Sequence, residues 1–296
     1  MNLPIYTICF LILSNFFIYL FFKKTNFFNS YNQDIHQKFA SKNLIKPVGG
    51  TYILLSFYII NFDTIGLSFL FYFLIFLIGI FADLKKLNSP KLRFFIQTFI
   101  IISFVIVSNI EIESSRVEFF DKLLKFNYFN IFFTLFCLIT VVNGTNFIDG
   151  LNGNVLGYFI SVGLCLIFVN LNFDIISISN LSYLLIIFIV LFFFNQMNNI
   201  YLGDNGAYLI GLIFGVLLIN IHQTNELISP YYIILLLWYP CFENLFSIIR
   251  KYIFRKSPIE PDNEHLHQII YSFLFVNFFK KKQLLANNFS SLVITA

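Results

Sequence analysis

Residues 178–197 read ISNLSYLLIIFIVLFFFNQM, twenty residues without one acidic or basic side chain. A helix of this length rises about 30 Å, which is the thickness of the hydrocarbon core of a bilayer. The apolar residues run continuously and do not alternate with polar ones, which argues against a strand of a β-barrel. The stretch therefore predicts a membrane-spanning helix.

Eight further apolar stretches resemble this one and occupy most of the chain. Of the 296 residues, 58% are apolar, only 11% are charged and 43 are Phe, a composition that a soluble globule of this size cannot bury. We therefore predict an all-α fold, a polytopic transmembrane helical bundle of nine or ten spans, in a single domain over residues 1–296. The predicted spans lie near 3–22, 47–62, 64–82, 94–110, 128–142, 155–171, 178–197, 206–221 and 228–249.

Lys and Arg are distributed unevenly among the loops between these spans. They concentrate in the first, third and ninth loops, 23–46, 83–93 and 250–268, whereas the second, sixth and eighth loops have none. In the fourth loop, 111–127, acidic residues outnumber basic ones. The positive-inside rule then predicts that the odd-numbered loops are cytoplasmic and that the N-terminus lies outside.

The fifth and seventh loops, which this topology also places in the cytoplasm, are rich in Gly, Asn and Asp. They read NGTNFIDGLNGN at 143–154 and NNIYLGDNG at 198–206. Both lie against the membrane surface.

Four polar side chains begin or end a span on the predicted cytoplasmic side, namely Asp83, Asn146, Asp149 and Asp204. A carboxylate beside hydrocarbon is costly unless a cation or a donor compensates it, and such oxygen ligands suit Mg²⁺. Taken singly, each residue is more simply a turn or N-cap residue, because Asp and Asn suit those positions. The occurrence of all four on one face favours a binding site.

A histidine pair, His265 and His267, lies in the ninth loop within SPIEPDNEHLHQ at 257–268. At this spacing the two rings share one face of a strand or of an extended loop. They can bind a metal, donate to a phosphate or move a proton, and the alternative is a pair of solvated loop histidines. Basic residues nearby attract anions such as nucleotide diphosphates.

Two further residues leave alternatives open. Arg93 is either a topology anchor, which the sequence favours, or a phosphate ligand. For Glu243, near the inner end of the ninth span, three roles are open: a capping residue, a partner of Arg250, or a residue that faces the site.

The stretches 143–153, 202–206 and 257–267, in this order, resemble the motifs of the polyprenyl-phosphate N-acetylhexosamine-1-phosphate transferases, which are glycosyltransferase family 4. The resemblance covers residues from about 34 to 270. The form of the last motif is similar to that of the initiating undecaprenyl-phosphate N-acetylglucosaminyl-1-phosphate transferase branch.

The resemblance implies a role for each matching residue. Asn146 and Asp204 would hold Mg²⁺, with Mn²⁺ as an alternative ion. The implied catalytic residues are Asp83, Asp149, His265 and His267. The implied substrate-binding residues are Lys42, Arg93, Asn143 and Arg250.

The resemblance also implies an activity and a location. The enzyme would transfer an N-acetylhexosamine-1-phosphate from a UDP-N-acetylhexosamine such as UDP-N-acetylglucosamine to undecaprenyl phosphate, and it would release UMP. This reaction initiates cell-surface polysaccharides such as lipopolysaccharide O-antigen or teichoic acid. We expect a multi-pass protein of the bacterial inner membrane with the lipid bilayer as a partner, the option of a homodimer, and no nucleic acid.

The sequence departs from the family pattern at several positions. Ala82 stands where the family usually has the first Asp of an Asp-Asp pair, which is a proposed catalytic or acceptor-orienting group. The other departures are Phe39 near a usual Arg, Lys42 near a usual His and Gln268 for a usual final His. The chain also ends soon after residue 282, so the expected domain is C-terminally shortened, with 283–296 too short for a span.

Two rival interpretations follow from these observations. The first is a catalytically impaired homologue, which Ala82 and the short C-terminus favour. The second is a transporter of a lipid-linked sugar. Transporters usually have polar groups near the bilayer midplane and repeated halves, whereas here the ionisable residues cluster at one interface and no repeat is visible.

Overall fold

The computed structural model describes residues 45–62, 66–173, 178–225, 227–255, 265–280 and 282–295, and scattered positions between 11 and 24. This part of the chain is helical, contains no strand, and has one isolated parallel bridge between Pro47 and Tyr201. The helices are α1 (Gly49–Ile60), α2 (Ser68–Asp83), α3 (Pro90–Val107), α4 (Glu118–Leu124), α5 (Asn127–Phe147), α6 (Asn154–Phe173), α7 (Ile178–Gln196), α8 (Gly203–Thr224), α9 (Pro230–Leu236), α10 (Trp238–Ile253), α11 (Leu266–Asn277) and α12 (Gln283–Thr295).

The all-α prediction is confirmed, but the number of spans is not. Within the described ranges, α3, α5 and α8 are long and apolar enough to cross a membrane, and the bent pair α9–α10 would make a fourth span. Helices α1 and α2 have only 12 and 16 residues, fewer than a bilayer normally requires. Most of the first predicted span, 3–22, lies outside the described residues.

Helix α8 forms the centre of the bundle. It packs against α1, α2 and α5, and 17 of its 22 residues are buried. By contrast, α3 lies on the outside and exposes large apolar side chains such as Phe95, Phe99 and Ile106. A helix that is apolar all round belongs in a core, whereas exposed apolar surface of this extent is typical of a protein that faces lipid.

The predicted span 228–249 is not one helix, because it breaks at Leu237 into α9 and α10, which meet at 75°. The physical reason is Pro240. Its ring clashes with the carbonyl four residues earlier, on Leu236, and it has no N–H to donate to that oxygen. The Tyr158 hydroxyl on α6 donates to the Leu236 carbonyl oxygen at 2.7 Å, so the freed acceptor is satisfied.

The long helices define two ends of the bundle. At one end α2 and α5 finish and α3 and α8 begin, and we call it the motif end because it carries Asp83, Asn146 and Asp204. The other end, which we call the far end, carries Asn130 at the start of α5 and His222 near the end of α8. The short helix α4, in the stretch predicted as the fourth loop, also lies there.

Candidate functional site

Asp204, the second residue of α8, is the centre of the candidate site. Asn146 Nδ2 donates to its Oδ1 at 2.8 Å, and Arg93 Nη1 donates to its Oδ2 at 2.7 Å. The Tyr208 hydroxyl lies 3.5 Å from the same Oδ2. Three segments that are far apart in the sequence therefore meet at one carboxylate, and Arg93, for which the sequence favoured an anchor role, points into the cluster.

Asp83 holds the helix that carries Asp204. Its Oδ1 accepts from the backbone N–H of Asp204 at 3.0 Å, and its Oδ2 accepts from the backbone N–H of Asn205 at 3.2 Å and from the Asn205 side chain. No side chain of α8 caps that helix. The first N–H groups of a helix need acceptors and attract negative charge, so Asp83 caps α8 from a different helix. Its predicted catalytic role stays a prediction.

The turn into α8 requires glycine. Gly203 has φ +75°, in the left-handed region that side chains other than glycine rarely adopt. A Cβ there would also lie 2.7 Å from Pro47 Cβ and 2.8 Å from Asp83 Oδ2. The Leu-Gly-Asp sequence at 202–204 therefore allows the capping carboxylate to approach the start of the helix.

Asp149 lies in the turn after α5, and its backbone N–H donates to the Asn146 carbonyl at 3.2 Å. Burial, and then the negative charge of Asp204, raise the pKa of the Asp149 carboxyl well above its usual range. The next residue, Gly150, packs against His267 so closely that a Cβ would collide with Nε2 of that ring. The fifth loop is thus in contact with the third motif.

The histidine pair begins a helix, whereas the sequence predicted a strand or an extended loop. His265 is the N-cap of α11 and His267 lies in its first turn. The two rings share a face as predicted, because their centroids are 5.6 Å apart and their planes differ by 5°. The His265 ring also lies against Phe147, with the centroids 5.6 Å apart.

Glu243 on α10 fixes the start of α11. Its Oε1 accepts from the Leu266 backbone N–H at 2.7 Å, and its Oε2 lies 2.7 Å from His265 Nδ1. Three roles were open for Glu243, and the structure shows the capping role. The helix that Glu243 caps is α11, not its own helix α10. Nothing in the sequence indicated that His265 is its partner.

A network of neutral amides holds the fifth and seventh loops together. The Asn152 backbone N–H donates to Asn287 Oδ1 at 2.8 Å, and Asn152 Nδ2 donates to Asn198 Oδ1 at 2.6 Å. Gln196 Nε2 donates to the Asn152 carbonyl at 3.0 Å, and the Gly153 N–H donates to the Asn195 side chain. Sequence reasoning missed Asn287, because nothing in its surroundings in α12 marks it.

The remaining predicted site residues lie outside this cluster or outside the described part of the chain. Asn143, one turn before Asn146, donates to the Ile139 carbonyl of its own helix at 2.9 Å. Arg250 lies in the last turn of α10, with its guanidinium 5.4 Å from the centroid of the Phe246 ring. Lys42 and residues 257–264 of the third motif are outside the described residues.

The donor set has the chemistry of a site for a hydrated cation. In the portion of the chain that is described, no three acidic, His or Cys side chains form a coordination shell by themselves. The negative charge of Asp204 nevertheless acts on both Asp83 and Asp149, and the Arg93 guanidinium pairs with Asp204. Mg²⁺ usually takes only one or two carboxylates and completes its shell with water and phosphate oxygens, so Asp204 and Asn146 fit such an ion.

This geometry agrees with what comparison with known proteins shows. Residues 65–222, more than half of the chain, match the family described as Glycosyl transferase family 4. The chain therefore belongs to Glycosyl transferase family 4. The matched region includes Asp83, Arg93, Asn146, Asp149 and Asp204, and it ends before the histidine pair.

The relatives that resemble the chain are bacterial transferases. It is 29% identical over 206 residues to a "Probable undecaprenyl-phosphate N-acetylglucosaminyl 1-phosphate transferase" of Bacillus subtilis (68% of this chain and 56% of that protein). It is 26% identical to an "Undecaprenyl-phosphate alpha-N-acetylglucosaminyl 1-phosphate transferase" of Thermotoga maritima over 229 residues (76% and 67%) and to one of Escherichia coli O157:H7 over 193 residues (62% and 52%). The match thus spans about half to two thirds of these relatives.

Proposed function

We propose that the protein transfers an N-acetylhexosamine-1-phosphate from a UDP-sugar to undecaprenyl phosphate and releases UMP, as the initiating step of a cell-surface polysaccharide. The observation that carries this proposal is the convergence of Arg93, Asn146 and Asp204, in contact through Asp149 and Gly150 with the histidine pair. The family and the names of the bacterial relatives support it.

The proposed reaction is a phosphoryl substitution at a membrane surface. An oxygen of the lipid phosphate attacks the β-phosphorus of the UDP-sugar. The bond between that phosphorus and the oxygen that bridges the two phosphates breaks, and UMP leaves with the electron pair. Several negative charges must approach one another, so positioning and charge neutralisation supply most of the catalysis.

The residues of the chain divide this work. Asn146 and Asp204 would hold Mg²⁺, which would neutralise the diphosphate as negative charge develops on the leaving UMP. Arg93 orients Asp204 and offers further guanidinium N–H groups to a phosphate. The histidine pair would bind the diphosphate. Asp149 directly precedes Gly150, which contacts His267, and the charge of Asp204 acts on Asp149.

The bent pair α9–α10 provides a surface that suits a lipid acceptor. On α10 the side chains of Phe242, Phe246, Ile249 and Ile253 are exposed, while Glu243 on the same helix is buried against α11. Exposed apolar side chains beside a buried polar contact would let a polyprenyl chain lie along α10 with its phosphate near the histidines. The protein would then lie in the bacterial inner membrane with the motif end facing the cytoplasm.

The distribution of ionisable groups favours this reading over a transporter. In α1–α3 and α5–α8, acidic side chains, Lys, Arg and His occur only in the first or last turn among the described residues. Transporter sites lie near the bilayer midplane. The polar groups here suit chemistry at a membrane surface.

The experiment that tests the proposal uses membranes containing the protein, undecaprenyl phosphate, Mg²⁺ and a series of UDP-N-acetylhexosamines. We expect UMP release that requires Mg²⁺ and the lipid, together with a lipid-linked diphosphosugar. Absence of UMP above the level of an Asp204→Ala variant, with every sugar in the series, would contradict the proposal.

A second candidate, a catalytically impaired homologue, is favoured by one observation. Asp83 is occupied by its contacts with α8, and the position before it, where the family usually has an acceptor-orienting Asp, is Ala82. The chain thus keeps the carboxylate that caps α8 and lacks the other. An Ala82→Asp variant separates the two candidates, because a rate gain of about tenfold or more would indicate impairment and an unchanged rate would indicate full activity without that carboxylate.

A further inference from the structure

Glu243 is an unusual residue for a helix that exposes so much apolar surface. Its side chain is only 4% exposed, yet it is a carboxylate. Burying a carboxylate is costly unless hydrogen bonds compensate it. Both of its oxygens are used, one by the Leu266 backbone N–H and one by the His265 ring, each at 2.7 Å.

This contact determines which nitrogen of His265 carries a proton. An ionised carboxylate can only accept hydrogen bonds, so Nδ1 must be the donor in both the neutral and the charged ring. Nε2 is then left for the substrate, and it donates to a phosphate oxygen when the ring carries a second proton. The same carboxylate fixes the ring plane, because its second oxygen is tied to the backbone of the next residue.

The ring that Glu243 fixes lies beside the candidate site. One face of His265 stacks on His267, which packs against Gly150, and the ring also lies against Phe147. Phe147 directly follows Asn146, which bonds to Asp204. A rotated His265 ring would disturb both neighbours, so its orientation matters to the histidine pair as a unit.

We propose that Glu243 is a positioning residue: it accepts the Nδ1 proton of His265, so that Nε2 of that ring faces the diphosphate of the nucleotide sugar and donates to it when the ring carries both protons. The tautomer is a property of the protein alone, whereas the presentation of Nε2 rests on the proposed function. The two parts therefore need separate measurements.

The tautomer is measured by ¹⁵N NMR of the full chain in detergent with labelled histidine. The chain has four histidines, so a His265→Gln variant assigns the signal. We expect the proton of neutral His265 on Nδ1 in the wild type and on Nε2 in Glu243→Gln, because the amide NH₂ of Gln would face Nδ1 while its oxygen keeps Leu266. A wild-type ring protonated on Nε2 would overturn the proposal whether or not the protein is active.

Kinetics test the second part. For Glu243→Gln we expect the KM for the UDP-sugar to rise about 10- to 100-fold, the range for partners that orient a metal-ligating histidine, because a ring without a proton on Nδ1 lacks the positive charge that strengthens its bond to the diphosphate. The KM for undecaprenyl phosphate should stay unchanged. Glu243→Asp keeps a carboxylate and should recover part of the affinity. A wild type without UMP release would refute the proposed function and leave the tautomer result standing.

The matched control is Asn244→Ala. Asn244 is the next residue on α10, is buried, and donates to the Thr140 carbonyl on α5 at 3.0 Å, so its loss weakens the packing of α10 without touching His265. We expect this variant to lose thermal stability while both KM values stay at the wild-type level. If Glu243→Gln behaves in the same way, with kcat falling in proportion to the folded fraction, Glu243 is merely structural and the positioning role is wrong.

Discussion

Asp204 at the motif end and Asp121 at the far end are both hydrogen-bonded aspartates near the start of a helix, but their partners differ. Asp121 accepts from the Ser115 backbone N–H at 2.7 Å and from the Ser114 hydroxyl at 2.9 Å, six and seven residues earlier. Asp204 bonds to Asn146 and Arg93, which are 58 and 111 residues earlier. One aspartate closes a local turn, and the other joins three segments.

The difference distinguishes a structural carboxylate from a functional one. A local cap stabilises a helix end at little cost, because its partners are already close in the sequence. A cluster of carboxylates and a guanidinium from distant segments costs free energy, because the groups lose water and the carboxylates repel one another. Stability of the fold gives no reason for such a cluster, whereas function does. Asp121 therefore serves the fold, and Asp204 serves the proposed reaction.

The largest expected effect comes from making the same substitution at both aspartates. Asp204→Asn keeps the side-chain shape but removes the charge that holds Arg93 and would bind the cation, so we expect UMP release to fall about 1000-fold or more. Asp121→Asn, the matched control, should leave the rate unchanged. Equal losses in the two variants would remove the distinction between the two ends.

A smaller effect is expected at Asp83, which caps α8 from α2. In Asp83→Asn one oxygen becomes an NH₂ group facing the N–H donors of α8, so the start of the helix loses an acceptor. We expect the free energy of unfolding to fall by about 1–2 kcal/mol and UMP release to fall about 10- to 100-fold, because Asp204 shifts with the helix. Thermal unfolding in detergent and the UMP assay measure these effects, and a loss of rate without any loss of stability would favour the predicted catalytic role.

Asn287 tests whether α12 supports the fifth loop. Asn287→Leu leaves the buried Asn152 N–H without its acceptor, which costs about 1–3 kcal/mol. The turn that carries Asp149 should loosen, and we expect UMP release to fall only several-fold. Asn277→Leu is a suitable control, because Asn277 is an exposed residue of the adjacent helix α11 and donates only to the Phe273 carbonyl among the contacts shown. Equal effects of the two variants would argue against a specific role for Asn287.

The smallest effect concerns pH and the far end. Hydrogen bonds from Ser115 and Ser114 lower the pKa of the Asp121 carboxyl, so the folded protein binds that proton less readily than the unfolded chain. The resulting stabilisation is present at neutral pH and is lost as the pH falls through the ordinary carboxyl range, about 4, towards the folded pKa. We expect Asp121→Asn to reduce the acid-induced drop in unfolding temperature slightly. If the unfolding temperatures of the wild type and of Asp121→Asn depend on pH in the same way, these hydrogen bonds contribute nothing to the pH dependence of stability.

Much of the helical fold could be predicted from apolar runs. The run 206–221 lies within α8, which extends three residues further at each end, and the run 178–197 is one residue longer than α7. The number of spans could not be read from the apolar runs, because helices such as α1 and α2, with 12 and 16 residues, are too short to cross a bilayer by themselves. The break at Leu237 had a visible signal in Pro240, three residues later, which a count of apolar residues overlooks.

The candidate site was predictable where function leaves a local signature. Asn146, Asp149 and Asp204 stand in loops whose Gly, Asn and Asp content is unusual between apolar spans, and the structure brings all three together. The supporting contacts were not predictable. Glu243 and His265 are 22 residues apart in the sequence, and Asn287 contacts a residue 135 positions earlier, so only the packing of helices brings these partners together.

The central claim is that the fifth loop, the start of α8 and the histidine pair form one site at one end of the bundle. The most direct test is cross-linking in membranes. The starting variant has Cys9, Cys137, Cys165 and Cys241 replaced, and new cysteines are then introduced in pairs, first as Asp149→Cys with Leu266→Cys. We predict that a short thiol cross-linker joins Asp149→Cys to Leu266→Cys and does not join Asp149→Cys to Asn130→Cys at the far end. Labelling of the Asp149 and Leu266 positions from opposite faces of the membrane, with no cross-link between them, would contradict the account.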